Sequence, residues 1–152
     1  ITTVASIDEG IDATIEPDIH VLGDVVLLRH AIQNLIENAR IHGVDGTVQV
    51  RVCRTGSGDG VEVGVVNDGD VLDPATVSQL VEPFSRANAR VAGARPGHGL
   101  GLALVDTIAR AHHGELELEA RSAEVGGGLV ARMTLPVANR KITAGWRTVG
   151  KQ

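Results

Sequence analysis

The period of apolar positions changes several times along the chain, and each change marks an element. Ile11, Ala13 and Ile15, then Ile19 and Val21, alternate with polar neighbours on either side of Glu16-Pro17-Asp18, which predicts two short strands around a turn. After Asp24 the spacing lengthens. Leu28, Ala31 or Ile32, Leu35 and Ala39 recur on one helical face, so Val25 to His42 reads as a helix with Asp24 as N-cap and Gly43 as a left-handed C-cap. Val48, Val50 and Val52 alternate with Gln49, Arg51 and Cys53, and the apolar run Val61 to Val66 follows a Gly/Ser/Asp turn, the pattern of a hairpin. Asp73-Pro74 sets an N-cap before a proline at the first helical position and opens a short helix to about Val81. Residues 85–96 read as an irregular loop and Gly99 to His113 as a helix capped by Gly114. Glu115 to Arg121 and Leu129 to Leu135 read as strands flanking the glycine-rich turn at 126–128.

Hairpins, rather than strict strand-helix alternation, point to an α+β domain. The expected architecture is a two-layer α/β sandwich in which one mixed, mostly antiparallel sheet packs against about three helices. The domain is expected to span residues 1–136, with 137–152 as a loosely held tail that carries Trp146.

Composition narrows the partners. With 14 Lys and Arg against 19 Asp and Glu the chain carries −5, which argues against nucleic acid or an anionic membrane surface as partner of the whole molecule. An anion site must then be local, and one stretch qualifies: Pro83 to Val105 holds no acid but does hold Arg86, Arg90 and Arg95. One Phe, one Trp and no Tyr leave the core to Val, Leu, Ile and Ala, and leave little material for stacking nucleic-acid bases. Cys53, the single cysteine, excludes an internal disulfide and fits a reducing cytoplasm. No apolar run approaches the ~20 residues of a membrane span, and the first residues lack the pattern of a secretion signal.

Within the acid-free stretch lies Gly97-His98-Gly99-Leu100-Gly101-Leu102, which runs directly into an apolar helical pattern. Alternate glycines leave backbone N–H groups uncovered, and a helix start adds unpaired donors and a positive dipole end. The run therefore suits a phosphate, although flexible turns and helix caps use the same residues. A second feature is the polar stripe His30, Asn34, Asn38 and His42, stepping by four beside the apolar face of the 25–42 helix. Asparagine is a mediocre helix former, so its repetition there signals either plain solvent exposure or amide oxygens that meet a hard cation beside a phosphate. Mg²⁺ suits the second role because it takes oxygen ligands and keeps several waters. No Cys/His cluster has the spacing of a zinc site.

Four segments now follow one another in a telling order: Asn34-Leu35-Ile36-Glu37-Asn38-Ala39, Asn67-Asp68-Gly69, Glu82-Pro83-Phe84-Ser85-Arg86, and Gly97-His98-Gly99-Leu100-Gly101-Leu102-Ala103. Their order and spacing resemble the asparagine, first glycine, phenylalanine and second glycine boxes of sensor histidine kinases. Over roughly residues 1–136 the chain resembles the ATP-binding catalytic domain of that family, a Bergerat fold. The resemblance implies ATP and Mg²⁺ as cofactors, Asn38 as the metal ligand, and Asn34 beside phosphates or metal waters. It places His42 at the edge of adenine or ribose, and Asn67 where the family has an aspartate that accepts the adenine amino hydrogen bond. Gly69 and Leu72 join the cofactor-binding set. Phe84 would anchor a lid, though an ordinary plug under a loop fits it as well, and Arg86, with Arg90, would reach the β- or γ-phosphate. Gly97, His98, Gly99, Leu100, Gly101 and Leu102 would hold phosphates through backbone N–H groups. Asn38 and Arg86 would be catalytic, since positioning and charge stabilisation drive phosphoryl transfer. Arg95 reads as solvated.

Several positions depart from the family pattern. Ile41 stands where a basic residue is common, Val71 where a second glycine is usual, and His98 where threonine is common. Asn67 is a neutral acceptor and so a weaker one than a carboxylate. Relatives that hydrolyse ATP carry a glutamate at the place of Asn34; an amide cannot take a proton from water, which favours transfer to a protein side chain. In the family the acceptor is a histidine followed by an acid in a helical hairpin, and none of the six histidines here is followed by one. The chain is therefore expected to be the catalytic part of a longer, membrane-bound sensor, lying in the cytoplasm, and not to phosphorylate itself. Its expected partners are the dimerisation and phosphoacceptor hairpin of the same protein and a response regulator, with no nucleic acid and no direct membrane contact. Two other readings stay open: a protein-serine kinase of the anti-sigma type, and a non-catalytic nucleotide-binding scaffold, which Ile41, Asn67 and Val71 would suit.

Overall fold

A computed structural model of the chain describes residues 10–82 and 101–138. Five strands, β1 (Ile11–Ile15), β2 (Val48–Arg54), β3 (Gly60–Asn67), β4 (Glu115–Ala120) and β5 (Leu129–Pro136), form one sheet in the order β1-β2-β3-β5-β4. β1 runs parallel to β2, and the other neighbours are antiparallel. Among the described residues three α-helices, α1 (Val25–His42), α2 (Pro74–Val77) and α3 (Gly101–Ala111), complete the two-layer α+β domain that the patterning predicts.

Strand alternation explains the core. Val48 and Val50 of β2, Val63 and Val65 of β3, and Ala131, Met133 and Leu135 of β5 form one buried cluster with Ala31, Leu35, Ile36 and Ala39 of α1 and Leu102, Val105, Ile108 and Ala109 of α3. Each fully buried aliphatic side chain of this kind contributes ~1.5–3 kcal/mol, so Leu35 and Val105 fix how the helices sit on the sheet. At the head of α1 the Asp24 carboxylate accepts from the N–H groups of Val26 (2.9 Å) and Leu27 (3.0 Å), as expected of an N-cap.

Other expectations need correction. Among the described residues one strand, not two, precedes α1: Val21 makes only an isolated bridge to Val137. The chain leaving β1 is instead tied to the end of β2, where Arg54 pairs with Glu16 and donates to Asp18 O at 2.7 Å. Gly43 does close α1, but in an extended conformation (φ −92°), not a left-handed one. Its lack of a side chain serves close approach, because a Cβ there would overlap Ala39 O and sit 2.8 Å from Asn67 Cβ. At the end of α3 the left-handed residue is His113 (φ 60°), followed by Gly114, whose N–H donates to Ala109 O at 2.8 Å. Gly114 is needed because a Cβ would overlap Thr134 O of β5. α2 is regular only to Val77 and continues as turns to residue 82, with Leu80 buried. Val137 and Ala138 stay attached through N–H bonds to Asp59 O (3.0 Å) and His20 O (3.1 Å). Trp146 and the rest of 139–152 lie outside the described residues.

Candidate functional site

The helical stripe is neither core nor free surface: Asn34, Asn38 and His42 are half-buried on one face of α1, while His30 is exposed. Asn34 Nδ2 donates to His30 O at 2.8 Å, which uses one of the amide's two N–H donors and leaves Oδ1 to other partners. That oxygen adjoins α3, since a Cβ on Gly101 would sit 3.4 Å from it. Asn34 and Gly101 are thus neighbours in space. Leu102 is 4% exposed and its side chain belongs to the core, so only its backbone is available to a ligand.

One and two turns further along α1, Asn38 and His42 line a cavity of about 330 Å³ closed by Asn67, Val71, Leu72, Thr76 and Leu80, with Asp70 and Asp73 among its walls. Asn67, the last residue of β3, is the one buried polar side chain among the described residues, and its Nδ2 donates to Asp68 O at 3.1 Å. Gly69 packs this loop against the end of α1: a Cβ would lie 3.0 Å from His42 O. Asp70 and Asp73 among its walls disfavour an anion inside this cavity, which suits a neutral, hydrogen-bonding group; Asn34 and Gly101 lie outside its lining, with Asn34 one turn of α1 before Asn38.

The donor set also bears on a metal. Among the described residues no three His, Cys, Asp or Glu side chains cluster closely enough to cage an ion. Amide oxygens from one helix face are hard, neutral ligands, and they fit a Mg²⁺ whose remaining ligands are waters and phosphate oxygens. Such an ion, when bound, would neutralise phosphate charge.

Phe84, Arg86, Arg90, Arg95, Gly97, His98, Gly99 and Leu100 lie outside the described residues. Asn38, His42, Asn67 and Leu72 meet around one cavity, with Gly69 beside it and Asn34 against Gly101. Sequence reasoning overlooked the support behind Asn67. Arg121 donates to Asn67 O (3.0 Å) and Val125 O (2.6 Å) and pairs with the Asp68 carboxylate, while Thr47 Oγ1 accepts from Asp68 N–H at 3.2 Å. The one available signal was the run of three glycines at 126–128, which marks a backbone with no room for side chains.

Residues 23–139 match the family described as "Histidine kinase-, DNA gyrase B-, and HSP90-like ATPase". The chain belongs to this ATPase family. Its relatives include the sensor protein CutS of Streptomyces coelicolor, 38% identical over 117 residues that cover 77% of this chain and 28% of CutS. Sensor histidine kinase TrcS of Mycobacterium tuberculosis is 38% identical over 126 residues, covering 79% of this chain and 23% of TrcS. The chain therefore spans about a quarter of the length of these curated relatives. The mycobacterial sensor histidine kinase MprB superimposes with a TM-score of 0.71 at 27% identity, over 84% of this chain and 80% of the MprB chain. The ATP binding domain of PrrB from Mycobacterium tuberculosis does so with a TM-score of 0.61 at 27% identity, over 89% and 86% of the two chains. The mixed sheet and its helices are thus the fold of histidine-kinase ATPase domains. Among the described residues no helix of this family member is long and apolar enough to cross a membrane.

Proposed function

We propose that this domain binds Mg²⁺-ATP at the site beside α1 and donates the γ-phosphoryl group to a histidine of a phosphoacceptor helical hairpin outside the chain. It would do so in the cytoplasm, as the catalytic part of a two-component sensor whose phosphoryl group passes to a response regulator. The observation that carries the reading is that Asn38 and His42 of the asparagine face meet Asn67 around one cavity, while Asn34, one turn back on α1, adjoins Gly101.

In this reading Asn67 Oδ1 accepts the adenine amino hydrogen bond, Leu72 packs on the base, and His42 borders adenine or ribose. Asn38 ligates Mg²⁺, Asn34 holds phosphate or metal water, and backbone N–H groups of the segment Gly97 to Leu102 hold the phosphates. Arg86 and Arg90 offset the charge of the transferred group. Transfer is favoured over hydrolysis because Asn34, already donating to His30 O, has no basic site to activate water.

The test is incubation with γ-labelled ATP and Mg²⁺, with and without the separately produced hairpin of the full-length protein. Acid-labile label is expected on the hairpin histidine and none on the isolated domain. Acid-stable label on a serine would instead support the anti-sigma type of kinase, and no transfer in the presence of ATP binding would support a scaffold.

A further inference from the structure

We infer that Arg121 is a positioning residue for base selection, holding Asn67 so that it shows an acceptor, not a donor, to the nucleotide base. The inference rests on the nucleotide reading above. Arg121 follows directly on β4, far from the asparagine and glycine segments in sequence, and its side chain is only 18% exposed. Its planar guanidinium is a fork with fixed directions. One nitrogen donates to Asn67 O at 3.0 Å and pairs with the Asp68 carboxylate; the other donates to Val125 O at 2.6 Å. Arg121 N–H also donates to Gly128 O at 3.1 Å, so the loop from 121 to 128 closes on itself.

That loop is moulded onto the back of the Asn67 loop. Gly126, Gly127 and Gly128 have φ of 99°, 64° and 84°, a left-handed run that side chains rarely tolerate. A Cβ on Gly126 would sit 2.8 Å from the Asp68 carboxylate carbon, one on Gly127 would overlap Gly69 O, and one on Gly128 would overlap Asn67 O. Two backbone bonds, Gly69 N–H to Gly126 O (3.1 Å) and Gly128 N–H to Asp70 O (3.0 Å), stitch the loops together.

The consequence for the base follows from how the Asn67 amide is oriented. Its Nδ2 donates one N–H to Asp68 O and is turned toward Gly43 and Gly69, where a Cβ would lie 3.1 and 3.5 Å from it, and Asp68 is the residue that Arg121 pins through its carboxylate. With Asp68 fixed, Oδ1 is the amide atom available to the cavity, and it accepts from an amino group such as that of adenine. With Asp68 released, the amide can rotate by half a turn and present Nδ2, a donor that suits the carbonyl of guanine. Arg121 thus acts on selectivity through Asp68 and Asn67 without touching the ligand.

The experiment is calorimetric titration of ADP and GDP, with Mg²⁺, into the wild-type chain and into Arg121→Ala, Arg121→Lys, Asp68→Asn and Val63→Ala. Val63 is a buried β3 residue distant from the Arg121 contacts in the hydrogen-bond network, and its truncation reports plain destabilisation. The ADP-to-GDP affinity ratio is expected to fall at least about tenfold in Arg121→Ala, since a mismatched buried hydrogen bond strongly discriminates ligands. Asp68→Asn is expected to move it the same way by a smaller factor, and Arg121→Lys, which keeps the charge without the fork, to recover part of the loss. Val63→Ala should lower Tm and leave the ratio unchanged. Wild-type binding of ADP with an unchanged ratio in Arg121→Ala and Asp68→Asn overturns the assignment alone, as does an equal fall in Val63→Ala. Failure of the wild-type chain to bind ADP overturns the nucleotide reading and this assignment with it.

Discussion

The two ends of the candidate site are built by different means. Asn34, Asn38 and His42 come from a single helix, stepping by four, and the hydrogen bonds of α1 with its buried Ala31, Leu35 and Ala39 hold them in line. Asn67 sits where a strand runs out, and the residues that steady it are drawn from Thr47, Gly43, Arg121 and the turn at Gly126–Gly128. A helix face is rigid by itself once it is packed, whereas a strand end is only as fixed as its partners. The helix end should therefore answer mainly to its own residues, and the Asn67 end to substitutions more than fifty positions away in sequence.

The contrast can be broken in graded ways. The largest effect is expected from Gly128→Val, which puts a β-branched residue at φ 84° and drives it into Asn67 O. Urea unfolding should show a loss of at least ~2 kcal/mol, and an unchanged midpoint would mean that the two loops are not moulded together. Asn38→Ala should do the reverse, sparing the fold while costing at least about tenfold, or ~1.4 kcal/mol, in affinity for an ATP analogue with Mg²⁺. Unchanged metal dependence in that variant would remove Asn38 from its proposed role. Asp24→Ala, which deletes the cap of the helix that carries the stripe, should lower stability by ~1 kcal/mol in thermal unfolding and leave the ADP-to-GDP ratio as it was.

The smallest effect lies outside both ends. Accepting a hydrogen bond from Arg54 N–H, and then pairing with its guanidinium, holds the Glu16 carboxyl below its ordinary value of 4.5. A lowered folded-state value means stability that is present above that ordinary value and lost as pH falls through the lowered one. Glu16→Gln should therefore remove a small stabilisation at neutral pH and slightly flatten the acid limb of the stability profile below about pH 4.5, leaving nucleotide affinity unchanged; a loss of affinity would show that the β1 edge communicates with the cavity.

How much of this was legible in the sequence follows from the same contrast. α1 could be read to its ends, because Asp24 and the spacing of Leu28, Leu35 and Ala39 are local signals, and the stripe beside them needed no partner to be seen. Val21 is wrongly placed in a second strand by its alternation with Ile19, because whether an alternating pair becomes a strand depends on which neighbour takes its edge, and the neighbour here is Val137. Gly43 and Gly114 were read as turn formers when both in fact clear space for another segment, at Asn67 and Thr134. Local propensity cannot separate those two uses of glycine. Arg121 carried no signal, since an arginine after a strand is ordinary until Asp68, 53 residues earlier, is seen against it.

The site beside α1 is proposed to take Mg²⁺ and ATP together. Calorimetric titration of a non-hydrolysable ATP analogue, first with Mg²⁺ and then with a chelator, tests it most directly. Saturable one-to-one binding that weakens at least about tenfold when the metal is removed is the predicted result, as expected where a cation is shared between amide oxygens and phosphates. Absence of binding in both conditions, or identical affinity with and without Mg²⁺, would contradict it.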